Sequence, residues 1–488
     1  MKSFEELQAQ LGQVLALNRQ ARGAPHVLVV LPSFSVGESL LSHYAARISA
    51  LEHRYLVAHF LLHRVAACEM AFVTCEEPGE EVLGYYASLV PAGSRASVRT
   101  RFRTVVVPDR TPRSVAAKLL DRPDLLDALR ASFDDRPVFI EPWNVTEHEV
   151  QVALQLEAPL NGTSPDLWPL GYKSAGRQLL VEAGVPTPFG REHVHTVEDV
   201  VEAIAAVRSE HPAAPAVVIK HDDSGAGDGN AVIELHHLAG DPAADERVRA
   251  RLGALPDWYL RDLGLGAVVE ELITGARFSS PSVQVDISPY GDVVVLATHE
   301  QVLGGETGQV YTGCRFPADP PYAAQLASYG RATGEQLARR GAIGRFSVDF
   351  AAACDATGRW DLFALEINLR KGGTTHPFAV LRTLVPGRYD TESGQWLALA
   401  GDCRAYWSTD NLVDEAWLGL PPAAVIRSVA NAGLQFDYRT GTGVVLHMLS
   451  CLAIDGRFGL TAIGRSPEHA AELFEHTKSA VNRARFQR

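Results

Sequence analysis

The chain has 488 residues, of which 46% are hydrophobic and 21% are charged, and this length predicts about three domains of a globular enzyme. Its formal charge of -13 argues against a nucleic-acid-binding protein, because phosphate contacts require Lys and Arg. No apolar run approaches the ~20 residues that span a bilayer, and the polar start is unlike a secretory signal, so we expect a cytoplasmic protein without a membrane partner. Six cysteines without C-x-x-C spacing argue against a disulfide framework and a cysteine zinc site.

The first 166 residues alternate short apolar runs with helix-rich stretches. Strands that alternate with helices predict a parallel α/β sheet. An amphipathic helix is expected before the first strand, and turn-forming residues at 161–165 end the unit. The predicted strands lie at 26–32, 70–74, 103–107 and 138–140.

A different series of predicted helices and strands begins at Leu167. A helix at 172–183 ends at Gly184 and is followed by Pro186, which is the expected stop signal. Further helices are predicted at 197–207 and 322–340. Strands are predicted at 216–220, 231–235, 267–272, 282–286, 292–298, 345–353 and 361–368. After residue 400 we expect helix, strand, strand, helix, with strands at 442–449 and 451–454 leading into the hairpin turn Asp455-Gly456.

The loop between strands 216–220 and 231–235 is the strongest local signal for a nucleotide. Lys220 closes the first strand, and the glycines at 225, 227 and 229 let backbone N–H groups approach a phosphate chain. A plain hairpin with a glycine turn explains the same pattern, so both interpretations stay open.

A metal site is predicted on two neighbouring strands. Glu366 and Asn368 are two residues apart on a strand, so both side chains point to one face, and Asp349 on the adjacent strand can join them. Oxygen ligands of this kind suit Mg²⁺ bridging nucleotide phosphates. A polar edge strand is the alternative, but an apolar strand interior makes it less favoured.

Two weaker signals precede this site in the chain. Lys173 stands at a helix start, where a cation is unfavourable unless a phosphate lies nearby. Glu270 and Glu271 follow an apolar strand and precede a turn, where they could contact adenine and ribose. A surface lysine and an ordinary strand end remain open as alternatives.

Taken in this order, these residues resemble the ATP-grasp superfamily. The resemblance implies that Lys173 and Lys220 bind the phosphates of ATP, that Arg345 holds the reacting carboxylate, and that Mg²⁺ is held by Asp349, Glu366 and Asn368. It also implies a lid loop and an adenine hinge, which correspond here to Ser224, Gly225, Ala226, Gly227 and Gly229, and to Glu270, Glu271 and Leu272. One departure concerns ribose, because Arg277 stands where many members of the family have an acid.

Further segments, at 31–33, 142–146, 366–377 and 443–447, resemble the pheganomycin-type peptide ligases. That resemblance implies an α/β (α+β) fold with a Rossmann-like pre-ATP-grasp domain (1–166), an ATP-grasp core (167–400, with a lid at about 190–268) and a small C-terminal α+β domain (401–488). It implies ATP-dependent joining of a small carboxylic acid to an amino acid or peptide amine through an acyl phosphate, in specialised biosynthesis.

Two residues after the metal strand are further catalytic candidates, and two questions stay open. Arg370 could bind a carboxylate or phosphate, and His376 could accept the amine proton, although a loop histidine that caps the next helix explains His376 as well. The competing function is a catalytically silent ATP-binding sensor or scaffold protein. A homodimer is expected only because dimers are the commonest closed assembly.

Overall fold

The computed structural model describes residues 2–18, 23–224, 229–238, 240–304 and 310–484. Its first unit is a four-stranded parallel sheet in the order β3-β2-β1-β4, as the alternation of strands and helices predicts. The strands are β1 (His26–Leu31), β2 (Cys68–Thr74), β3 (Phe102–Val106) and β4 (Val138–Pro142). The helices are α1 (Phe4–Gln8), α2 (Leu11–Leu17), α3 (Glu38–His43), α4 (Ile48–His53), α5 (Glu80–Ser88), α6 (Arg95–Arg101), α7 (Val115–Leu120), α8 (Pro123–Ala131) and α9 (Glu147–Leu156).

The strand order gives this unit a switch point beside its central strand. The chain runs from β1 outward to β3 and then returns to the other side of β1 as β4. Loops that leave the carboxyl ends of β1 and β4 therefore emerge side by side, where α/β sheets commonly bind ligands. These loops carry Val36 and Trp143, both of which border crevices of the catalytic region described below.

The second unit is an antiparallel sheet in the order β5-β8-β6-β7. Its elements are α10 (Lys173–Glu182), β5 (Gly190–Val194), α11 (Val197–Glu210), β6 (Ala216–His221), β7 (Asn230–Glu234), α12 (Ala244–Gly253), α13 (Asp257–Leu263) and β8 (Ala267–Glu271). Helices α12 and α13 were not predicted. Half of the residues in helix α12 are charged and only Ala244, Val248 and Leu252 are buried, so its apolar period is weak.

The largest sheet has eleven strands and carries most of the catalytic candidates. Along its main path the order is β14-β13-β10-β11-β12-β17-β16-β15, while β9 pairs with β13 and β19 pairs with both β17 and β18. Its elements are β9 (Arg277–Ser279), β10 (Pro281–Ile287), β11 (Val293–Gly304), β12 (Val310–Phe316), α14 (Pro320–Arg339), β13 (Gly344–Cys354), β14 (Trp360–Asn368), α15 (Thr375–Leu384), β15 (Gly387–Asp390), β16 (Gln395–Ala398), β17 (Cys403–Val413), α16 (Pro422–Asn431), β18 (Gly443–His447), β19 (Arg457–Gly464) and α17 (Pro467–Ala484).

The C-terminal strands extend the core sheet. Strand β17 pairs antiparallel with β12, from Gly313 opposite Thr409 to Phe316 opposite Tyr406. Residue 400 lies in the turn between the paired strands β16 and β17, and the boundaries at 166 and 400 stay predictions. Among the described residues, no helix combines the length and hydropathy needed to cross a bilayer.

Two predictions for the tail are wrong. The segment after residue 400 opens with strand β17, ahead of helix α16. The run 451–454 belongs to a 3-10 helix (Leu449–Ala453), and the next strand begins only at Arg457. A four-residue apolar run fits a strand or one turn of buried helix equally well, so the pattern could not separate them.

Candidate active site

The predicted acidic residues meet on paired strands β13 and β14. Asp349 lies directly opposite Glu366, and Ser347 lies opposite Asn368. The Asn368 amide donates a hydrogen bond to Asp349 Oδ2 at 3.0 Å, and Gln301 on β11 donates to Oδ1 at 2.8 Å. Gln301 was missed, because nothing near it in the sequence indicates that its strand reaches this site.

The electrostatics of this pair fit a bound divalent cation. Burial and the neighbouring Glu366 carboxylate raise the pKa of Asp349 to about 7. Burial also opposes the charge of Glu366, but the ammonium group of Lys173 keeps its pKa below the ordinary value. Two facing carboxylates beside an amide oxygen form a hard oxygen donor set, and Mg²⁺ would relieve the repulsion between them.

Lys173 lies where the predicted phosphate site requires a cation. It is the first residue of α10, and its ammonium group donates to Ser224 O and pairs with Glu366 Oε2, both at 2.9 Å. The residue is 8% exposed, so the alternative of a solvated surface lysine is wrong.

Two arginines beside the acidic pair have no acidic partner among the described residues. Arg345 makes no hydrogen bond or ion pair there, and Arg370 donates only to Lys371 O while its guanidinium lies 4.9 Å from the Trp143 ring centroid. Both border a crevice that also contains Trp143 and Lys371. Lys371 is already neutralised, because it pairs with Glu141 at 2.5 Å and donates to Pro142 O. These two guanidinium groups make the crevice a candidate anion site, although Asp349 and Glu366 also act on the charge of Arg370.

The predicted adenine hinge is held in place by its own side chains. Glu270 is 3% exposed and pairs with Lys220 at 2.6 Å and Arg177 at 2.7 Å. Glu271 accepts hydrogen bonds from Phe189 N and His211 Nδ1. These contacts occupy both carboxylates, so neither is a free acceptor for ribose in this arrangement.

The backbone of the hinge shows which donors remain. Glu271 N donates to Phe189 O and Leu272 N donates to Ala216 O, so both N–H groups are already used. Within the described part of the chain, Ile273 N has no hydrogen-bond acceptor. Arg277 lies away from this hinge, because β9 pairs with the far end of β13 and the Arg277 guanidinium sits 5.2 Å from the Trp360 ring centroid.

An open cleft of about 800 Å³ is bordered by some of these groups, whereas Lys220, Asp349, Arg345 and the hinge residues Glu270, Glu271 and Leu272 do not line it. Its walls come from the first unit, the second unit and the core sheet, and they include Val36, Lys173, Ser224, Gly229, Trp258, Glu366, Asn368 and Arg370. Ser224 and Gly229 therefore border the cleft as predicted for a lid loop. The predicted contacts at Gly225, Ala226 and Gly227 fall outside the described residues.

His376 does not border the cleft, which corrects the prediction that it accepts the amine proton. It is 1% exposed, and burial lowers its pKa to about 4. Its Nε2 lies 3.1 Å from Asp410 Oδ1 and 3.2 Å from His447 Nε2. A metal ion between these three side chains would add two positive charges beside Arg54, whose Nη1 donates to Asp410 at 2.7 Å. The charges therefore favour a hydrogen-bonded cluster that anchors the loop from Arg370 to Thr374.

Comparison with known proteins supplies relatives over most of the chain. L-propargylglycine–L-glutamate ligase from Streptantibioticus cattleyicolor is 34% identical over 401 residues, which cover 79% of each protein. The family described as the PGM1 C-terminal domain matches residues 424–477.

Solved structures with the same fold share little sequence with the chain. The ADP complex of purK, an N5-carboxyaminoimidazole ribonucleotide synthetase, gives a TM-score of 0.50 at 15% identity, with 94% of this chain and 97% of that chain covered. The biotin carboxylase domain of 2-oxoglutarate carboxylase from Hydrogenobacter thermophilus, solved with MgADP and bicarbonate, gives 0.53 at 13% identity, with 93% and 89% covered. Such low identity shows a common fold and no more.

Proposed function

The chain belongs to the ATP-grasp family that includes L-propargylglycine–L-glutamate ligase and is an ATP-dependent peptide ligase, and from this we propose how its cleft forms the amide bond. The observation that carries the proposal is the Asp349–Glu366 pair on β13 and β14, with Lys173 on one side and two unpaired arginines on the other. Nothing in the described residues favours the silent sensor or scaffold function.

Phosphate transfer would occur at the edge of β13 and β14. Asp349, Glu366 and Asn368 would hold Mg²⁺, which neutralises charge on the phosphates when bound. Lys173 and Lys220 would bind the phosphate chain, and Lys220 would then share its charge between ATP and Glu270. A carboxylate oxygen of the acid attacks the γ-phosphorus and ADP leaves, which produces an acyl phosphate. Such transfer depends on positioning and charge neutralisation more than on a protein nucleophile.

Amide formation would follow at the anion site. Arg345 and Arg370 would bind the acid first and then the acyl phosphate, because neither guanidinium forms a close ion pair with a described carboxylate. The amine nitrogen attacks the acyl carbon, loses a proton, and the C–O bond to phosphate breaks. Donors placed at the developing oxyanion stabilise it most effectively when they are already oriented. The lid loop would limit access of water to the acyl phosphate.

The substrates are proposed by class. The similar ligase is named for joining L-propargylglycine to L-glutamate, which supports an amino-acid pair and a role in natural-product biosynthesis here. A homodimer stays a prediction.

The decisive experiment measures which products of ATP are released. Purified protein is supplied with Mg²⁺, ATP and pairs of amino acids, beginning with L-glutamate and L-propargylglycine. We expect ADP and phosphate only when an acid and an amine are both present, with loss of release in Glu366→Gln. Glu335→Gln, on the exposed side of α14, is the matched control. Release of AMP and pyrophosphate would contradict the acyl-phosphate route.

A further inference from the structure

A buried polar cluster joins the first unit to the C-terminal strands. Its centre is Asp410 on β17, whose Oδ2 accepts a hydrogen bond from Arg54 Nη1 at 2.7 Å. The other carboxylate oxygen, Oδ1, lies 2.7 Å from His447 Nε2 and 3.1 Å from His376 Nε2. All four residues are at most 8% exposed. Asp410 is therefore fully occupied, and it holds Arg54 by one nitrogen only.

The remaining edge of the Arg54 guanidinium has no partner. Its Nε is buried without a hydrogen bond, and its Nη2 makes none to any described residue. Nε and Nη2 form the planar fork that binds a carboxylate through two parallel hydrogen bonds. Buried donors are nearly always satisfied in folded proteins, so the unpaired Nε indicates a ligand at this edge of the guanidinium.

Tyr55 supplies a second unsatisfied donor next to the fork. Its hydroxyl is buried without a hydrogen bond, and the Arg54 guanidinium lies 5.5 Å from its ring centroid. Burial raises the pKa of Tyr55 to about 12, so the hydroxyl keeps its proton and can donate.

This pair of donors lies toward the active site. Both Tyr55 and Arg54 interact electrostatically with Arg370, and Tyr55 also interacts with Arg345. Arg370 borders the same cleft as Glu366, one of the proposed metal ligands. Asp349 and Glu366 offset part of the charge of Arg370, and Glu141 offsets part of that of Arg345, whereas Arg54 is paired with Asp410 alone among the described residues. An anion bound here would therefore belong to a substrate of the ligase reaction.

We infer that Arg54 and Tyr55 bind a substrate carboxylate that does not react. The reacting carboxylate belongs at Arg345 and Arg370, next to the metal carboxylates, whereas the Arg54 fork recognises a second carboxylate group. At least one substrate is then an amino acid or peptide that keeps this group free. The spare carboxylate can belong to the acid or to the amine, and the inference rests on the proposed ligase function.

The test compares each substrate with its carboxamide, which has the same shape and no charge. ADP release is measured for L-glutamate and L-propargylglycine, and for each as its α-carboxamide, then for the common amino acids if that pair is inactive. We expect the wild type to prefer the free carboxylate of one partner by at least tenfold in kcat/KM. Arg54→Gln should remove this preference mainly by raising KM for that partner. The partner whose preference for the free carboxylate disappears in Arg54→Gln is the source of that carboxylate, whereas an amide that stays inactive in the variant has lost the reacting group.

Two further variants keep the result interpretable. Arg54→Gln leaves the Asp410 charge buried without its partner, so the double variant Arg54→Gln with Asp410→Asn removes both charges together. Arg64→Gln, an exposed arginine at the end of the same 3-10 segment, is the control and should retain the preference. If folded Arg54 variants lose activity equally toward the carboxylate and the amide, Arg54 is only structural and the inference is overturned.

A binding measurement separates this inference from the ligase function. If no pair releases ADP, the proposed function fails, and the same amino acids and amides are tested by heat unfolding. A carboxylate site at Arg54 predicts that free amino acids raise the unfolding temperature of the wild type more than their amides do. Arg54→Gln should lose that difference. Equal effects of acids and amides on the wild type would overturn the inference.

Discussion

Arg345 stands out among the catalytic candidates because its side chain makes no hydrogen bond or ion pair to the described residues. It pairs with no described carboxylate, although Glu141 and Lys371 beside it pair with each other. We expect Arg345→Met to lower kcat by about 10²–10³-fold, the usual loss when one oriented donor is removed from a developing oxyanion. The KM for ATP should change little. Steady-state kinetics check this, with the exposed Arg339→Met as control. A variant that raises only the KM for ATP would instead place Arg345 at the nucleotide.

Asp349 gives the metal site a predicted dependence on pH. Its pKa of about 7 in the metal-free protein lies above that of an ordinary aspartate, so folding favours the protonated form. The resulting contribution to folding stability is complete below the pKa that Asp349 has in the unfolded chain, and it is lost as the pH rises through about 7. Mg²⁺ must displace that proton, so binding should strengthen over the same range.

The corresponding measurement is heat unfolding with and without Mg²⁺. The increase in unfolding temperature caused by Mg²⁺ should be larger at pH 8 than at pH 6. In Asp349→Asn the increase should be small and nearly independent of pH. An equal increase at both pH values in the wild type would show that Asp349 does not control metal binding.

At the scale of elements, the loop between β14 and α15 sets the position of Arg370. A Cβ added to Gly373 would lie 2.5 Å from the Tyr311 ring, whereas one added to Gly372 would meet only Arg370 Nη1, at 3.9 Å. Gly373→Ala must therefore displace the loop. We expect it to lower kcat/KM by about 10²-fold, as a shift near 1 Å can do, while Gly372→Ala stays within a few fold. Comparable activity of the two variants would show that the loop tolerates displacement.

The elements also explain which parts of the site the sequence could predict. Asp349, Glu366 and Asn368 lie on two consecutive strands, and the two-residue period alone places them on one face. Arg54 and Asp410 are 356 positions apart, and Gln301 is 48 positions from Asp349. These contacts form only when the sheets assemble, so no local sequence pattern predicts them. Arg277 shows the opposite case, since it follows the hinge closely in sequence but pairs with the far end of β13.

At the scale of the whole molecule, the cleft depends on three structural units held against one another. The first unit contributes Val36, the second contributes Lys173 and Ser224, and the core sheet contributes Glu366, while Trp143 of the first unit borders the crevice with Arg345. The Arg54–Asp410 ion pair links the first unit to β17, and Tyr86 donates to Leu446 O on β18. The C-terminal strands therefore support the orientation of the first unit over the core.

This arrangement predicts that the chain cannot be divided at residue 400. Ending the chain there would remove β17, leave the β12 edge unpaired and expose core residues such as Phe316, which is 1% exposed and stacks on the Tyr406 ring. Unpaired edges and uncovered apolar surface cause aggregation. We expect residues 1–400 to be insoluble alone and to become soluble and active when residues 401–488 are co-expressed. Soluble yield and ADP release measure this. Cooperative unfolding of soluble 1–400 would show instead that the C-terminal segment is an independent domain resting on a complete core.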